Sequence, residues 1–212
     1  MSLTEGKLNI SDICGMCRVM PILTIDDMDT AVPLAQALSE GGIRVMEITL
    51  RTEAALGAIR DIRQNVPDMI VGAGTLISPR NVSDACDAGA QFGVSPGATN
   101  PLLDVVDERE MPFLPGVSTP SEMMRLMERD FLAQKFFPAE QNGGIAMLKA
   151  VQGPLPQISF CPTGGITREA ASAYLALDKV MCVGGSWVAP KDAVKDRNWD
   201  KIKELASIAS GL

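Results

Sequence analysis

The sequence contains no histidine among its 212 residues. This absence excludes catalytic triads of the Ser-His-Asp and Cys-His kinds. It also removes imidazole as an acid, a base or a metal ligand. Any proton transfer in a functional site therefore falls to Glu, Asp, Lys, Tyr or water.

Long apolar runs and basic clusters are missing as well. No run approaches the ~20 apolar residues that span a bilayer. The N-terminus, MSLTEGKLNISDI, lacks a basic region followed by an apolar one, so we expect no signal peptide. The formal charge is −7, and no segment concentrates Lys and Arg as nucleic-acid-binding proteins do. We expect a cytoplasmic protein without a membrane or nucleic-acid partner.

The five cysteines are few, odd in number and scattered through apolar segments. This distribution is typical of a reduced, cytoplasmic protein. Cys14 and Cys17 form a CxxC pair, but a structural zinc site needs about four nitrogen or sulfur ligands. With no histidine and no second CxxC pair, we expect buried free thiols and no metal.

Short apolar, β-branched runs alternate with amphipathic helical segments along the whole chain. Eight such runs predict strands, at 19–25, 44–50, 69–76, 92–97, 113–117, 131–139, 158–165 and 180–188. Strands that alternate with helices form parallel sheets, and eight units favour a compact (β/α)8 TIM barrel. An open doubly wound sheet is the alternative, although no G-x-G-x-x-G follows the first strand. We expect one domain over residues 1–212.

The second predicted strand carries polar residues on one face. Side chains alternate between the faces of a strand, so Glu47, Thr49 and Arg51 share one face of RVMEITLRT. The other face is apolar and suits packing under helices. In a barrel, the polar face must point to the centre or its mouth.

The run FLAQKFFPA repeats this pattern, because the same alternation places Lys135 on the interior face with Phe137. Thr75 lies on the third predicted strand and Thr163 on the seventh. Active sites of such barrels lie at the carboxyl ends of the strands, which favours a functional cluster. The alternative is a structural Lys135–Glu47 ion pair, although buried ion pairs contribute weakly to stability.

One glycine-rich turn, PTGGIT, follows the seventh predicted strand, and a second, VGGSW, lies at the eighth. Barrels often bind phosphate between these two loops, through backbone N–H groups that glycine leaves accessible. One such turn is weak evidence, because it could be only a tight turn. Two at these positions predict a phosphate site.

The motifs GGIRVMEITLRTEAAL, VGAGT, GAQFGVSPG, PGVSTPSE, KFFPAE, FCPTGGIT and VGGSWV occur in this order between about residues 30 and 190. In these motifs the chain resembles the 2-keto-3-deoxy-6-phosphogluconate (KDPG) aldolase and 4-hydroxy-2-oxoglutarate aldolase family of class I aldolases. The resemblance implies a (β/α)8 barrel, a homotrimer, no metal and no cofactor.

The same resemblance assigns Lys135 as the Schiff-base lysine and Glu47 as the general acid and base. It also assigns pyruvate-end binding to Arg51 and Thr75, wall positions to Pro96 and Phe137, and stereoselectivity to Thr163. Phosphate binding falls to Gly164, Gly165, Gly185 and Ser186, with Arg18 as a further candidate. Glu140 is a rival for the proton-transfer role, on the opposite face from Lys135.

The implied reaction is cleavage of KDPG to pyruvate and glyceraldehyde 3-phosphate. Burial and a neighbouring Arg51 favour the neutral, nucleophilic lysine amine, whereas Glu47 favours the charged form. Alternative substrates are 4-hydroxy-2-oxoglutarate, which yields pyruvate and glyoxylate, and the galactonate epimer of KDPG. A sugar-phosphate epimerase or isomerase and a non-catalytic phosphate-ligand binding protein are rival functions on the same barrel.

Overall fold

The computed structural model describes residues 8–212, in which short strands alternate with helices. The first seven residues, to which part of the signal-peptide prediction refers, lie outside this range. The strands are β1 Val19–Leu23, β2 Val45–Thr49, β3 Ile70–Gly74, β4 Phe92–Val94, β5 Phe113–Leu114, β6 Gly116–Val117, β7 Ala133–Phe136, β8 Ser159–Phe160 and β9 Val183–Gly185. Each of the eight predicted segments contains a strand, and the fifth contains two.

The helices are α1 Ile10–Gly15, α2 Ala31–Glu40, α3 Ala55–Asn65, α4 Pro79–Asp87, α5 Asn100–Glu108, α6 Pro120–Met127, α7 Gly144–Gln152, α8 Arg168–Leu175, α9 Lys191–Lys195 and α10 Trp199–Ser210. All but α1 and α9 lie within helical segments of the sequence pattern. These two have six and five residues, too few to show a helical period. None of the helices between residues 8 and 212 is long and apolar enough to cross a membrane.

Side-chain caps fix several helix starts. At the starts of α4, α6 and α8, the side chains of Ser78, Thr119 and Thr167 each accept a hydrogen bond from a first-turn N–H. Helices α3 and α5 begin without a side-chain cap. Helix α3 begins after Ala54, and Asn100 is already the first residue of α5.

All strand pairs are parallel, which confirms the α/β class. Six strands form a curled sheet in the order β5-β4-β3-β2-β1-β9, and three form a second sheet in the order β6-β7-β8. Only Pro115 separates β5 from β6, and proline has no N–H to give to a ladder. Isolated bridges Phe160↔Val180 and Thr163↔Gly184 join the β8 segment to the β9 segment.

Two buried apolar clusters cover the two faces of these strands. The larger cluster packs between strands and helices and contains Met46 and Ile48, the face predicted to be apolar. The smaller cluster lies on the other face, where Val45 precedes Glu47 and Ala133 precedes Lys135. Along these strands, the predicted charged site therefore lies on the carboxyl side of an apolar layer.

The cysteines are all free thiols. Cys14, Cys161 and Cys182 are buried in the smaller cluster, as predicted, whereas Cys17 and Cys86 are half-buried. The Cys182 thiol donates to Cys161 Sγ over 3.5 Å. This bond lowers the pKa of Cys161 against its burial, and nearby Lys135 lowers it further. Among residues 8–212, no group of three or more Cys, Asp or Glu is placed to hold a metal ion.

Candidate active site

Lys135 and Glu47 meet on the concave face of the strands. Lys135 Nζ lies 3.6 Å from Glu47 Oε1, with side chains only 7% and 2% exposed. The ammonium also lies 5.4 Å from the centroid of the Phe137 ring. Removing an ion pair from water is costly even when its two groups contact each other. The burial of Lys135 with Glu47 therefore calls for a role other than stability. It brings a potential nucleophile and a potential proton acceptor together in a place that excludes most water.

Glycines on β3 make room for this pair. A Cβ at Gly74 would overlap the Glu47 carboxylate, and a Cβ at Gly72 would overlap the Phe92 ring. Gly72 stands opposite Glu47 in the β2–β3 register. The segment VGAGT therefore leaves space on the strand beside Glu47, so the carboxylate can lie against the backbone.

Thr75 follows Gly74 with φ +61°, in the left-handed region. This conformation is unusual for a β-branched residue, and such strain clusters at functional sites. Thr75 is half-buried at the carboxyl end of β3. The Gly74 carbonyl accepts a hydrogen bond from Leu50 N–H over 2.8 Å, so the backbone places Thr75 beside the chain that follows β2.

We expect the backbone strain at position 75 to show as a difference in stability between Thr75→Gly and Thr75→Ala. Both variants lack the hydroxyl, and only Gly adopts positive φ freely. Thr75→Gly should be more stable than Thr75→Ala by about 1 kcal/mol. Urea unfolding measures the difference. The matched control is Ala146→Gly on the exposed face of α7, which should lose about 0.5–1 kcal/mol. Equal stability of the two Thr75 variants would contradict the strain.

Hydroxyl groups hold Arg51 just beyond β2. Its Nε donates to Thr49 Oγ1 over 3.1 Å, and its Nη2 donates to Thr24 Oγ1 over 2.7 Å. The two threonine oxygens lie 3.2 Å apart, and Thr49 also donates to the Leu23 carbonyl over 2.9 Å. Between residues 8 and 212, Arg51 forms no ion pair. A guanidinium without a carboxylate partner is suited to an anionic ligand.

The two glycine-rich turns are adjacent. The bridge between Thr163 and Gly184 joins their strand ends, and a Cβ at Gly184 would overlap the Thr163 hydroxyl. Gly164 and Gly165 have φ +106° and +77°, which side-chain-bearing residues rarely adopt. These conformations fix the course of the first turn beside β9, which ends at Gly185 and is followed by the exposed Ser186.

The remaining predicted residues divide into two groups. Pro96 follows β4, and its backbone lies against Gly116, the residue opposite Lys135 in the β6–β7 register. Phe137 is half-buried with its ring beside Lys135. Arg18 is not brought to this site, because it precedes β1 and its Nε donates to the Leu212 carbonyl over 2.9 Å.

Glu140 points to a different partner. The hydroxyl of Tyr174, the only tyrosine in the chain, donates to Glu140 Oε1 over 2.5 Å. Burial raises the pKa of Tyr174, and the neighbouring Glu140 raises it further. The Glu140 carboxylate is thus held against α8, and Glu47 is the carboxylate that contacts Lys135.

A cavity of about 770 Å³ opens beside this cluster. Thr24, Arg51, Ser186 and Trp187 line it, whereas Lys135 and Glu47 do not. The indole N–H of Trp187 is buried beside Gly185, without a hydrogen-bond partner in the described chain. The cavity therefore connects the Arg51 side of the site with the second glycine-rich turn.

Sequence reasoning missed some members of the site. Strand alternation placed Thr49 on the polar face without a role. No signal in the sequence singles out Thr24, which lies 27 residues before Arg51. The roles of Gly74 and Trp187 depend on contacts between strands and loops, which the motifs alone do not show.

The strands are parallel, and a buried lysine–carboxylate pair lies at their carboxyl side, near two adjacent glycine-rich turns. These features define an α/β protein whose candidate site pairs an amine with a carboxylate. The family model for KDPG and KHG aldolases matches residues 10–205, and the chain belongs to this family.

Relatives match over almost the whole chain. The KHG/KDPG aldolase of Escherichia coli K12 is 49% identical over 204 residues, which cover 96% of each chain. The 2-dehydro-3-deoxy-phosphogluconate aldolase of Dickeya dadantii is 51% identical with the same coverage. The crystal structure of the Legionella pneumophila KDPG aldolase holds pyruvate as a covalent carbinolamine. It has a TM-score of 0.94 and 43% identity, covering 97% of this chain and 100% of that one.

Proposed function

We propose that this chain is a class I aldolase, a lyase that cleaves KDPG to pyruvate and glyceraldehyde 3-phosphate. The observation that carries the proposal is the buried contact of 3.6 Å between Lys135 Nζ and Glu47 Oε1. A purely structural pair is a weak reason to bury two charges, because apolar residues of similar size often stabilise as well. A nucleophile beside its proton carrier is the pattern of covalent catalysis.

In the proposed reaction, the deprotonated Lys135 amine adds to the C2 carbonyl of KDPG and forms a carbinolamine. Loss of water gives a protonated imine. The C3–C4 bond then breaks, and its electron pair moves into the imine to give an enamine. The carbinolamine of pyruvate in the Legionella relative belongs to the same sequence of steps and supports this order.

Glu47 takes the C4 hydroxyl proton as the C3–C4 bond breaks, directly or through a water molecule, and glyceraldehyde 3-phosphate leaves. The same carboxyl group returns a proton to C3 of the enamine. Water then hydrolyses the imine, which releases pyruvate and frees Lys135. The position of Glu47 next to Lys135 and against Gly74 supports this assignment.

Arg51 and Thr75 would bind the carboxylate at the pyruvate end. Thr75 is the first residue after β3, and Arg51 is the second residue after the neighbouring strand β2. Arg51 has no ion-pair partner in the described chain. Pro96 and Phe137 would form walls, and Thr163 would face C4, where the galactonate epimer differs. The distal phosphate would lie between the turns at Gly164–Gly165 and Gly185–Ser186, whose backbone N–H groups glycine leaves open. Arg18 has no part in this proposal.

We also propose that the two sheets close into one eight-stranded (β/α)8 barrel. Continuity of β5 and β6 across Pro115 and the bridges from β8 to β9 support closure. On this proposal residues 1–212 form one domain, the chain assembles as a homotrimer, and the protein is cytoplasmic. Light scattering of the purified protein should give about three times the 22.6 kDa mass of one chain.

Pyruvate release from KDPG, coupled to lactate dehydrogenase, tests the activity directly. We expect turnover without added metal or cofactor, and inactivation when borohydride is added together with pyruvate. An epimerase or isomerase would release no pyruvate and would survive borohydride. A binding protein would bind the phosphorylated ligand and turn nothing over.

The name KHG/KDPG aldolase of the Escherichia coli relative supports a second substrate, 4-hydroxy-2-oxoglutarate, which is also called 2-keto-4-hydroxyglutarate (KHG). It shares the pyruvate half of KDPG and lacks the phosphate. The same coupled assay should detect pyruvate from it, with a higher KM because the glycine-rich turns would bind nothing.

A further inference from the structure

The number of hydroxyl hydrogens on Thr24 and Thr49 determines the direction of each hydrogen bond around Arg51. A threonine hydroxyl has one hydrogen, and a backbone carbonyl has none. Thr49 donates its only hydroxyl hydrogen to the Leu23 carbonyl over 2.9 Å. The contact of 3.2 Å between the two threonines then requires Thr24 to be the donor. Both hydroxyl oxygens keep lone pairs free, and these accept from Arg51.

These bonds occupy one edge of the guanidinium. The Nε–H and one Nη2–H point to the same side of a guanidinium group, and here both are taken by threonine oxygens. Three N–H groups remain, two on Nη1 and one on Nη2. One N–H from each of these two nitrogens lies along the Nη1–Nη2 edge, and this pair matches the two oxygens of a carboxylate.

We propose that Thr24 and Thr49 are positioning residues that fill the Nε–Nη2 edge of Arg51 and turn its Nη1–Nη2 edge to the substrate carboxylate. The inference rests on the proposed role of Arg51 in binding that carboxylate. Hydroxyl groups suit this task because they orient the guanidinium without neutralising it. An acidic partner on the same edge would orient Arg51 as well, but it would weaken the attraction for a second carboxylate.

The burial of the network supports a fixed orientation. Thr49 is 2% exposed and is tied to the backbone of β1, while Thr24 is half-buried on the segment after β1. Arg51 itself is exposed. The two threonines are thus the rigid part of the network, and the arginine is the part that would otherwise move among rotamers.

Replacement of Thr24 by Val tests the proposal, because Val keeps the shape and removes the oxygen. The rate of borohydride inactivation is measured in two series, one at increasing concentrations of pyruvate and one at increasing concentrations of methyl pyruvate, which has no carboxylate. We expect the half-saturating concentration of pyruvate to rise about tenfold, the loss expected for one hydrogen bond to a charged group. The maximal inactivation rate and the dependence on methyl pyruvate should stay within about twofold, since the lysine is untouched.

Two further variants separate positioning from general damage. Thr24→Ser restores the oxygen and should return the pyruvate dependence to nearly its original value. Thr52→Val is the matched control. Thr52 follows β2, and its hydroxyl donates to the Ile25 carbonyl and makes no hydrogen bond to the Arg51 guanidinium. This control should leave the pyruvate dependence unchanged. An equal loss in Thr24→Val and Thr52→Val would overturn the proposal.

Failure of the inference and failure of the proposed function are distinguishable through Arg51→Gln. If Arg51→Gln weakens pyruvate and Thr24→Val does not, the threonines do not position the arginine. If Arg51→Gln leaves pyruvate binding normal, the proposed role of Arg51 is wrong. The combined Thr24→Val/Thr49→Val variant should lose little more than the worse single variant, because both act through one group. Full additivity of the two losses would count against a single network.

Discussion

Replacement of Lys135 by Met should abolish pyruvyl adduct formation and slow KDPG cleavage by about 10⁴-fold or more, equivalent to at least about 5.4 kcal/mol of barrier. The reason is chemical: without the amine there is no imine, so the C3–C4 electron pair has no acceptor. Borohydride trapping with pyruvate, followed by peptide mass mapping, measures the adduct. The coupled pyruvate assay measures turnover.

Loss of stability must be separated from loss of chemistry in this experiment. Lys135→Met leaves the Glu47 carboxylate buried without its partner, and breaking a buried pair costs about 3–5 kcal/mol. Turnover is therefore compared with the folded fraction measured by circular dichroism. Lys149→Met, on the exposed face of α7, is the matched control and should keep full activity and the adduct at Lys135. An adduct on any other lysine would show that Lys135 is not the nucleophile.

Strand alternation carried much of the prediction of the site. It placed Glu47 and Thr49 on one face of β2 and Lys135 on the interior face of β7. In the structure, Lys135 contacts Glu47, and Thr49 lies on the same strand as Glu47. The rule works because side-chain direction in a strand is a local property. The parallel α/β class followed in the same way from alternating periodicities.

Properties that depend on register and on chain direction could not be predicted so well. Arg18 precedes β1, at the opposite end of the strand from the site, and its guanidinium binds the Leu212 carbonyl. The contact of Thr24 with Arg51 depends on how β1 pairs with β2. The break of the fifth strand at Pro115 follows from proline chemistry, yet the run FLPGV still reads as one strand.

Replacement of Glu47 by Gln should keep adduct formation with pyruvate but slow turnover of KDPG by about 10²–10³-fold, within the range of general acid–base catalysis. Gln has nearly the same shape, so it fits the space that Gly74 leaves and isolates the loss of proton transfer. The matched variant is Glu140→Gln, which should retain near-normal turnover because its carboxylate already accepts from Tyr174 and lies against α8.

The pair of variants decides between the two glutamates. Each is tested by borohydride trapping, which needs the lysine alone, and by the coupled assay, which needs both nucleophile and proton carrier. Glu47 is 2% exposed and within 3.6 Å of the lysine ammonium, whereas Glu140 is exposed and engaged elsewhere. Collapse of turnover in Glu140→Gln with normal turnover in Glu47→Gln would assign proton transfer to Glu140. It would also leave the Lys135–Glu47 contact as an ion pair that holds strands β2 and β7 together.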